Sequence, residues 1–152
     1  MKFYKSEAEF FLDNLERVFE REDLLQECCF YWSWQFLPET RRVIWHVPNG
    51  GDRKIVQAAQ FKAMGVIPGV CDMHFNWANR LYIIELKVGV NLITDAQEQY
   101  IRAATKQGAI FYECRTFKKW VSIIGRILAG EPLSCEAEML IKIRENGWMV
   151  RP

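Results

Sequence analysis

Three charged residues, Asp72, Glu85 and Lys87, stand in two runs of strand character, CDMHFNW (71–77) and RLYIIELKV (80–88). Ala78-Asn79 lies between the runs, so a symmetric turn there pairs residues whose numbers sum to 157. Trp77 then faces Arg80, and Asp72 faces Glu85. Side chains of such a pair project from one face with Cβ atoms about 5 Å apart. Glu85 and Lys87 share that face because strand side chains repeat every second residue. The neighbours are apolar: Val70, Met73, Phe75, Ile83, Ile84, Leu86 and Val88. Two opposed carboxylates repel each other, and burial makes this worse. A divalent cation relieves both problems, because carboxylate oxygens with water and phosphate are the ligands Mg²⁺ prefers. The reading depends on register. Ala-Asn is not one of the strong two-residue turns, and a slip of one residue would put Asp72 and Glu85 on opposite faces. The competing reading makes Glu85 and Lys87 the solvated edge of a strand.

A second group is HVPNGGDRK (46–54). Asn49, Gly50 and Gly51 lead into a helix N-terminus, where free backbone N–H groups favour phosphate. Arg53 and Lys54 follow at once, with Arg41, Arg42 and Lys62 near in sequence. Contacts of this kind position a nucleic-acid backbone without reading its bases. The plainer alternative is a glycine turn before an ordinary helix. Gln97, three residues after Thr94, fits a capping box. His46, Asn49 and His74 suggest a histidine-based metal nuclease, but the element order is wrong for the ββα arrangement that chemistry needs. His74 shares a hairpin face with Asp72, so it either lines the site or is a satisfied core histidine.

The elements that position these residues can be read along the chain. Ser6 and Glu9 make a capping box for a helix running to about Arg21. Asp23 caps a second helix, LLQECCFYWSWQFL, which Pro38 stops. Its apolar residues go almost all the way round, which predicts burial on several sides. RVIWHV (42–47) is a short strand, 52–65 is a helix ended by Gly65, and AIFYEC (109–114) is a strand. Helices follow from Thr94 to about Gln107 and from Thr116 to about Leu128, and Ser134 caps a last one. This order predicts an α/β fold with a central mixed sheet flanked by helices.

Composition sets the outer bounds. The chain has 152 residues, half of them hydrophobic, which fits one globular domain. Twenty basic and nineteen acidic residues give a net charge of +1, so any polyanion site must come from local clustering. The five cysteines form no CxxC pair, which fits neither a zinc ribbon nor a disulfide framework and predicts free, mostly buried thiols. No apolar run is long enough to span a membrane. MKFYKSEAEF lacks a signal-peptide core, so a cytosolic protein is expected.

Several of these motifs together resemble the VRR-NUC nucleases, a branch of the PD-(D/E)XK superfamily. They are NGG (49–51) with an arginine two residues later, AAQFKAMGVIPGVCD (58–72), IIELK (83–87) and T-x-x-Q (94–97). The resemblance runs from about Glu22 to Leu128. It implies a nuclease domain (22–130) with a restriction-endonuclease-like core, which leaves the N-terminal helix (1–21) and a helical tail (131–152) outside it. It further implies that Asp72 and Glu85 hold Mg²⁺ or Mn²⁺, with the backbone carbonyl of Leu86 completing the site. Lys87 would orient or activate the attacking water, and Gln97 matches the family's glutamine after the E-x-K strand. Glu22 and Gln26 match an E-x-x-x-Q pattern, in which the glutamate can join the metal and Gln26 lies towards DNA. Glu27 is a rival to Glu22. One departure from the family's pattern is Cys71, where the residue before the aspartate is often small or proline.

The implied activity is hydrolysis of DNA phosphodiesters, selective for branched DNA such as junctions, in a bacterial or phage-infected cytoplasm. Cutting both strands needs two sites, which makes the aromatic second helix a homodimer surface. The alternative function is a catalytically inactive DNA-binding or protein-interaction module on the same fold.

Overall fold

The computed structural model describes residues 2–48, 55–131 and 135–136. Its organising feature is the hairpin of β2 (Met73–Trp77) and β3 (Arg80–Leu86). Ala78 and Asn79 have φ of 49° and 61°, the two positive values a type I′ turn requires. Trp77 therefore faces Arg80 and Met73 faces Ile84, the register expected from the sequence. The turn forms although alanine is poorly suited to it, because a slipped register would expose Met73, Phe75, Ile84 and Leu86, all fully buried.

Two further strands complete a mixed sheet in the order β1-β2-β3-β4. β1 (Ile44–His46) is antiparallel to β2, and β4 (Ile110–Cys114) is parallel to β3. A parallel pair needs a crossover, here made by α4 (Asp95–Lys106). On one face of the sheet, Ile44, Met73, Phe75, Ile84, Leu86, Tyr112 and Cys114 join the main core. This face is covered by α1 (Glu7–Asn14), α2 (Glu22–Phe36) and α5 (Phe117–Leu128). The Trp120 indole of α5 donates to Ser33 Oγ of α2 at 2.9 Å, which satisfies a polar group inside that layer. On the other face, Ile83 and Phe111 pack with Cys71 and with Ile101 of α4. The cysteines are free, four of them buried. No helix among the described residues is long and apolar enough to cross a membrane.

Two local expectations are corrected. α1 ends at Asn14 and does not continue to Arg21. The buried Asn14 amide donates to the Phe10 carbonyl and the Tyr4 hydroxyl, a local bonding pattern that competes with helix propagation. The chain then turns so that Phe19 enters the core with the Arg17 guanidinium 4.6 Å from its ring centroid. Asp23 does not cap α2: the cap residue is Arg21, and Asp23 sits in the first turn, where negative charge suits the helix N-terminus. α2 is buried on several sides, as expected, by Leu25, Cys28, Cys29, Trp32 and Ser33, but keeps one open side. Phe30 and Trp34 are 37% and 41% exposed, and their rings stack with centroids 5.9 Å apart. The last helix expected from Ser134 falls almost wholly outside the described residues.

Helix α3 (Ile55–Ala63) buries none of its residues, and Gly65 follows it at φ 90°, as the terminator reading requires. The segment after it returns to the sheet through Gly69, at φ 76°. A Cβ there would lie 2.2 Å from the Ala96 carbonyl carbon and 2.5 Å from the Gln97 nitrogen. Only glycine lets this segment rest on the first turn of α4, and that turn carries Gln97.

Candidate active site

Asp72 and Glu85 meet at the end of the β2–β3 ladder, on the face that α4 covers. Ile83 and Glu85 alternate onto that face, and His74 joins them because it pairs with Ile83. Asp72, two residues before His74, reaches across to the opposite strand. Its Oδ2 accepts from the Leu86 N–H at 2.9 Å. Glu85 is 1% exposed, and its Oε1 lies 2.9 Å from the Lys87 ammonium. The same oxygen accepts from the Gln97 amide at 2.5 Å. Glu85 Oε2 is buried and has no hydrogen-bond partner among the described residues.

Gln97 closes the capping box and also reaches Glu85. Its Oε1 accepts from the Thr94 N–H at 2.9 Å, while its backbone N–H donates to Thr94 Oγ1, closing the capping box. Its Nε2 remains free to bond Glu85. Position makes this possible: Gln97, Tyr100, Ile101 and Ala104 form one stripe of α4, at the spacing of a helix face turned towards the sheet.

The electrostatics follow from this burial. Glu85 is pushed up to about 7, first by desolvation and then by the charge of Asp72, against the pull of Lys87. Asp72 is raised too, by burial and by Glu22, against the Leu86 hydrogen bond and the charges of Lys87 and His46. The Cys71 thiol beside the pair is pushed far up, by burial first and then by the two carboxylates. The pair is thus poorly stabilised as two anions by the protein alone.

Oxygen-ligated divalent cations fit this donor set. Two carboxylates converge, and one carries a buried oxygen with no hydrogen-bond partner among the described residues. No group of three or more His, Cys, Asp or Glu is assembled as a metal cage among the described residues. Asp72 and Glu85 are thus the side chains able to hold such an ion, with backbone, water and substrate oxygens as the remaining donors. Magnesium commonly keeps such a mixed shell.

The other sequence-predicted residues are placed as follows. Glu22, in the first turn of α2, lies close enough to Asp72 to raise its pKa, but its Oε1 is held by the Asn91 amide at 2.9 Å. Gln26 is half-buried one turn further along. Glu27 faces elsewhere and lines a cleft with Lys2, Arg17 and Tyr31. Asn49, Gly50, Gly51, Arg53 and Lys54 lie outside the described residues. Arg41 is engaged with Trp34, donating to its carbonyl at 2.8 Å.

Two partners were not found from sequence. His46 Nδ1 lies 2.8 Å from the Asp72 carbonyl oxygen, fixing the backbone that carries the aspartate. Asn91 holds Glu22, and the loop bearing Asn91 is tied down by Arg115, which donates to the Gly89 and Asn91 carbonyls. His74 is a buried histidine: its Nε2 lies 2.7 Å from the Tyr100 hydroxyl, its Nδ1 has no hydrogen-bond partner among the described residues, and burial lowers its pKa to about 4.

No family model matches the sequence, and no curated protein matches it. The fold does have a counterpart among solved structures, described as a VRR_NUC domain protein. The TM-score is 0.60 at 26% sequence identity, with 72% of this chain matched to 89% of that one. This chain therefore has an α/β fold of the VRR_NUC, PD-(D/E)XK type, a fold that implies a nuclease family.

Proposed function

We propose, with the VRR_NUC fold as the premise, that this chain is a Mg²⁺- or Mn²⁺-dependent endonuclease that hydrolyses DNA phosphodiester bonds. The observation that carries the proposal is the convergence of Asp72, Glu85, Lys87 and Gln97, with a buried carboxylate oxygen left unsatisfied among the described residues. A divalent ion, when bound, lowers the pKa of a water nucleophile and offsets charge growing on the phosphorus centre. The protein's part is to hold that ion and present the phosphate. Asp72 and Glu85 are the ion's carboxylate ligands, and the Leu86 carbonyl and Glu22 are its further candidates. Gln97 fixes the Glu85 carboxylate. The Lys87 ammonium orients the water and stabilises the developing anion in a site with little solvent to screen it. Residues Asn49, Gly50, Gly51, Arg53 and Lys54 contact the DNA backbone, and Gln26 lies along the same path.

The preferred substrate is branched DNA, cut by a homodimer that brings two sites to one junction. The stacked Phe30–Trp34 pair on the open side of α2 is the surface for that dimer. Sedimentation should give a dimer at micromolar concentration, and Trp34→Glu should give a monomer. A wild-type monomer would remove the dimer from the proposal.

Incubation of the protein with plasmid and four-way-junction DNA tests the activity. Cleavage should require Mg²⁺ or Mn²⁺, and Lys87→Ala should lose about 10²–10³-fold in rate while still binding DNA. Equal cutting by wild type and variant would assign the activity to another site. No cutting by either would leave a binding module on this fold.

A further inference from the structure

Trp45 is a large aromatic residue on an edge strand, 39% exposed, beside the site but outside every role given above. Its neighbour Ile44 serves the core on the opposite face of the sheet, being 4% exposed. Register places the indole. Trp45 pairs with His74, His74 pairs with Ile83, and Ile83 shares a face with Glu85. Trp45 is therefore on the same face of the sheet as the carboxylate pair. It stands one strand across and one two-residue step from Asp72, which is about 5 Å by about 7 Å.

One side of the indole is backed. The His74 imidazole stacks on it with centroids 5.5 Å apart and planes 22° from parallel. His74 is itself 5% exposed and anchored at 2.7 Å to the Tyr100 hydroxyl of α4. The ring is thus propped by a buried, hydrogen-bonded support, while much of its surface stays open. An exposed apolar residue on an edge strand invites misassociation, so its presence calls for a use.

We propose that Trp45 is a stacking platform for an unpaired DNA base next to the scissile phosphate. The proposal rests on the nuclease reading and narrows its substrate to DNA with single-stranded character at the cut. A base within a duplex has both faces covered by its neighbours. An isolated protein ring can take only a base that has left the stack. Trp45 thereby favours flaps, bulges or junction arms with an unpaired nucleotide over continuous duplex.

The test uses the full-length protein without divalent metal, so that binding is read without cutting. Fluorescence anisotropy measures the affinity for a fully paired duplex and for the same duplex carrying a short oligothymidylate flap. Trp45→Leu, which keeps bulk without a π face, should reduce the flap-to-duplex affinity ratio roughly tenfold, within the range for one base–aromatic stack. Trp45→Phe should restore most of that ratio. An unchanged ratio in Trp45→Leu, or equal losses in the Leu and Phe variants, overturns the proposal. Cleavage is then assayed in Mg²⁺. A protein that shows the Trp45-dependent flap preference but never cuts keeps the platform and loses the nuclease reading. A protein that cuts with no Trp45-dependent preference does the reverse, and one that binds neither DNA loses both.

Discussion

Among the described residues, Glu85 has two donors on one carboxylate oxygen and none on the other. This asymmetry has a consequence for pH. The folded-state value of about 7 lies above the ordinary 4.5, so between those two values only the folded state holds the proton. Stability from this group is complete below 4.5, falls as the pH rises, and is lost above about 7. His74 acts in the opposite direction, because its value is lowered from 6.5 to about 4 and acid therefore favours the unfolded state. A comparison of variants isolates the carboxyl. In metal-free buffer, Glu85→Gln should gain thermal stability over wild type as the pH rises from 4.5 to 8, with little difference at the acid end. A constant difference across that range would mean Glu85 does not titrate there. Gln97 allows a second separation. Thr94→Ala removes the hydroxyl half of the capping box and should cost about 1 kcal/mol while cleavage stays near wild type. Gln97→Ala should cost stability and also slow cleavage. Equal cleavage in the two variants would reduce Gln97 to a cap. At this scale, the convergence of Asp72, Glu85 and Lys87 is legible because a two-residue strand period is a local pattern, and the Thr94–Gln97 cap because its three-residue spacing is another; a place for Gln97 beside Glu85 came only with the family resemblance. His46 and Asn91 could not be found in this way. Their bonds join loops and strand ends far apart in sequence, and no periodicity reports such contacts.

Elements whose pattern agrees with their environment were predictable: the hairpin, α4 with its Thr94 cap, and α5 with Phe117, Trp120, Ile124 and Ile127 on one stripe. The length of α1, which failed, was decided by a tertiary demand: Phe19 is drawn into the core and shortens the helix. The aromatics of α2 exceed what its buried sides can hold, which leaves its open side. Two glycine exchanges test the hairpin and the α4 contact. Ala78 adopts φ 49°, so Ala78→Gly should stabilise the fold by about 1 kcal/mol and raise Tm by about 2–4 °C. No gain would mean that the alanine turn is unstrained. Gly69→Ala should cost roughly 2–6 kcal/mol, because overpacking and left-handed backbone penalties of about 1–3 kcal/mol each combine there. It should also slow cleavage, since the displaced turn of α4 is the one that aims Gln97 at Glu85. Wild-type activity and Tm in this variant would show that the contact is not needed.

On the scale of the whole molecule, the two faces of the sheet divide the work. One face packs α1, α2 and α5 into the large core, and the other carries the carboxylate pair under α4, with Trp45 at its edge. The net charge of +1 supplies no general attraction for DNA, so the binding proposed above would have to come from the local surface around this face. The similarity to a VRR_NUC domain protein covers 72% of the chain. What no fold similarity supplies is the location of the ion. Mn²⁺ soaked into crystals above pH 7, where Glu85 is ionised, can be located by its anomalous scattering. The ion should lie between the Asp72 and Glu85 carboxylates, about 2.1 Å from their oxygens as for hard cations of this size. A protein that cuts DNA with its Mn²⁺ bound anywhere else, and no density between those two side chains, would contradict it.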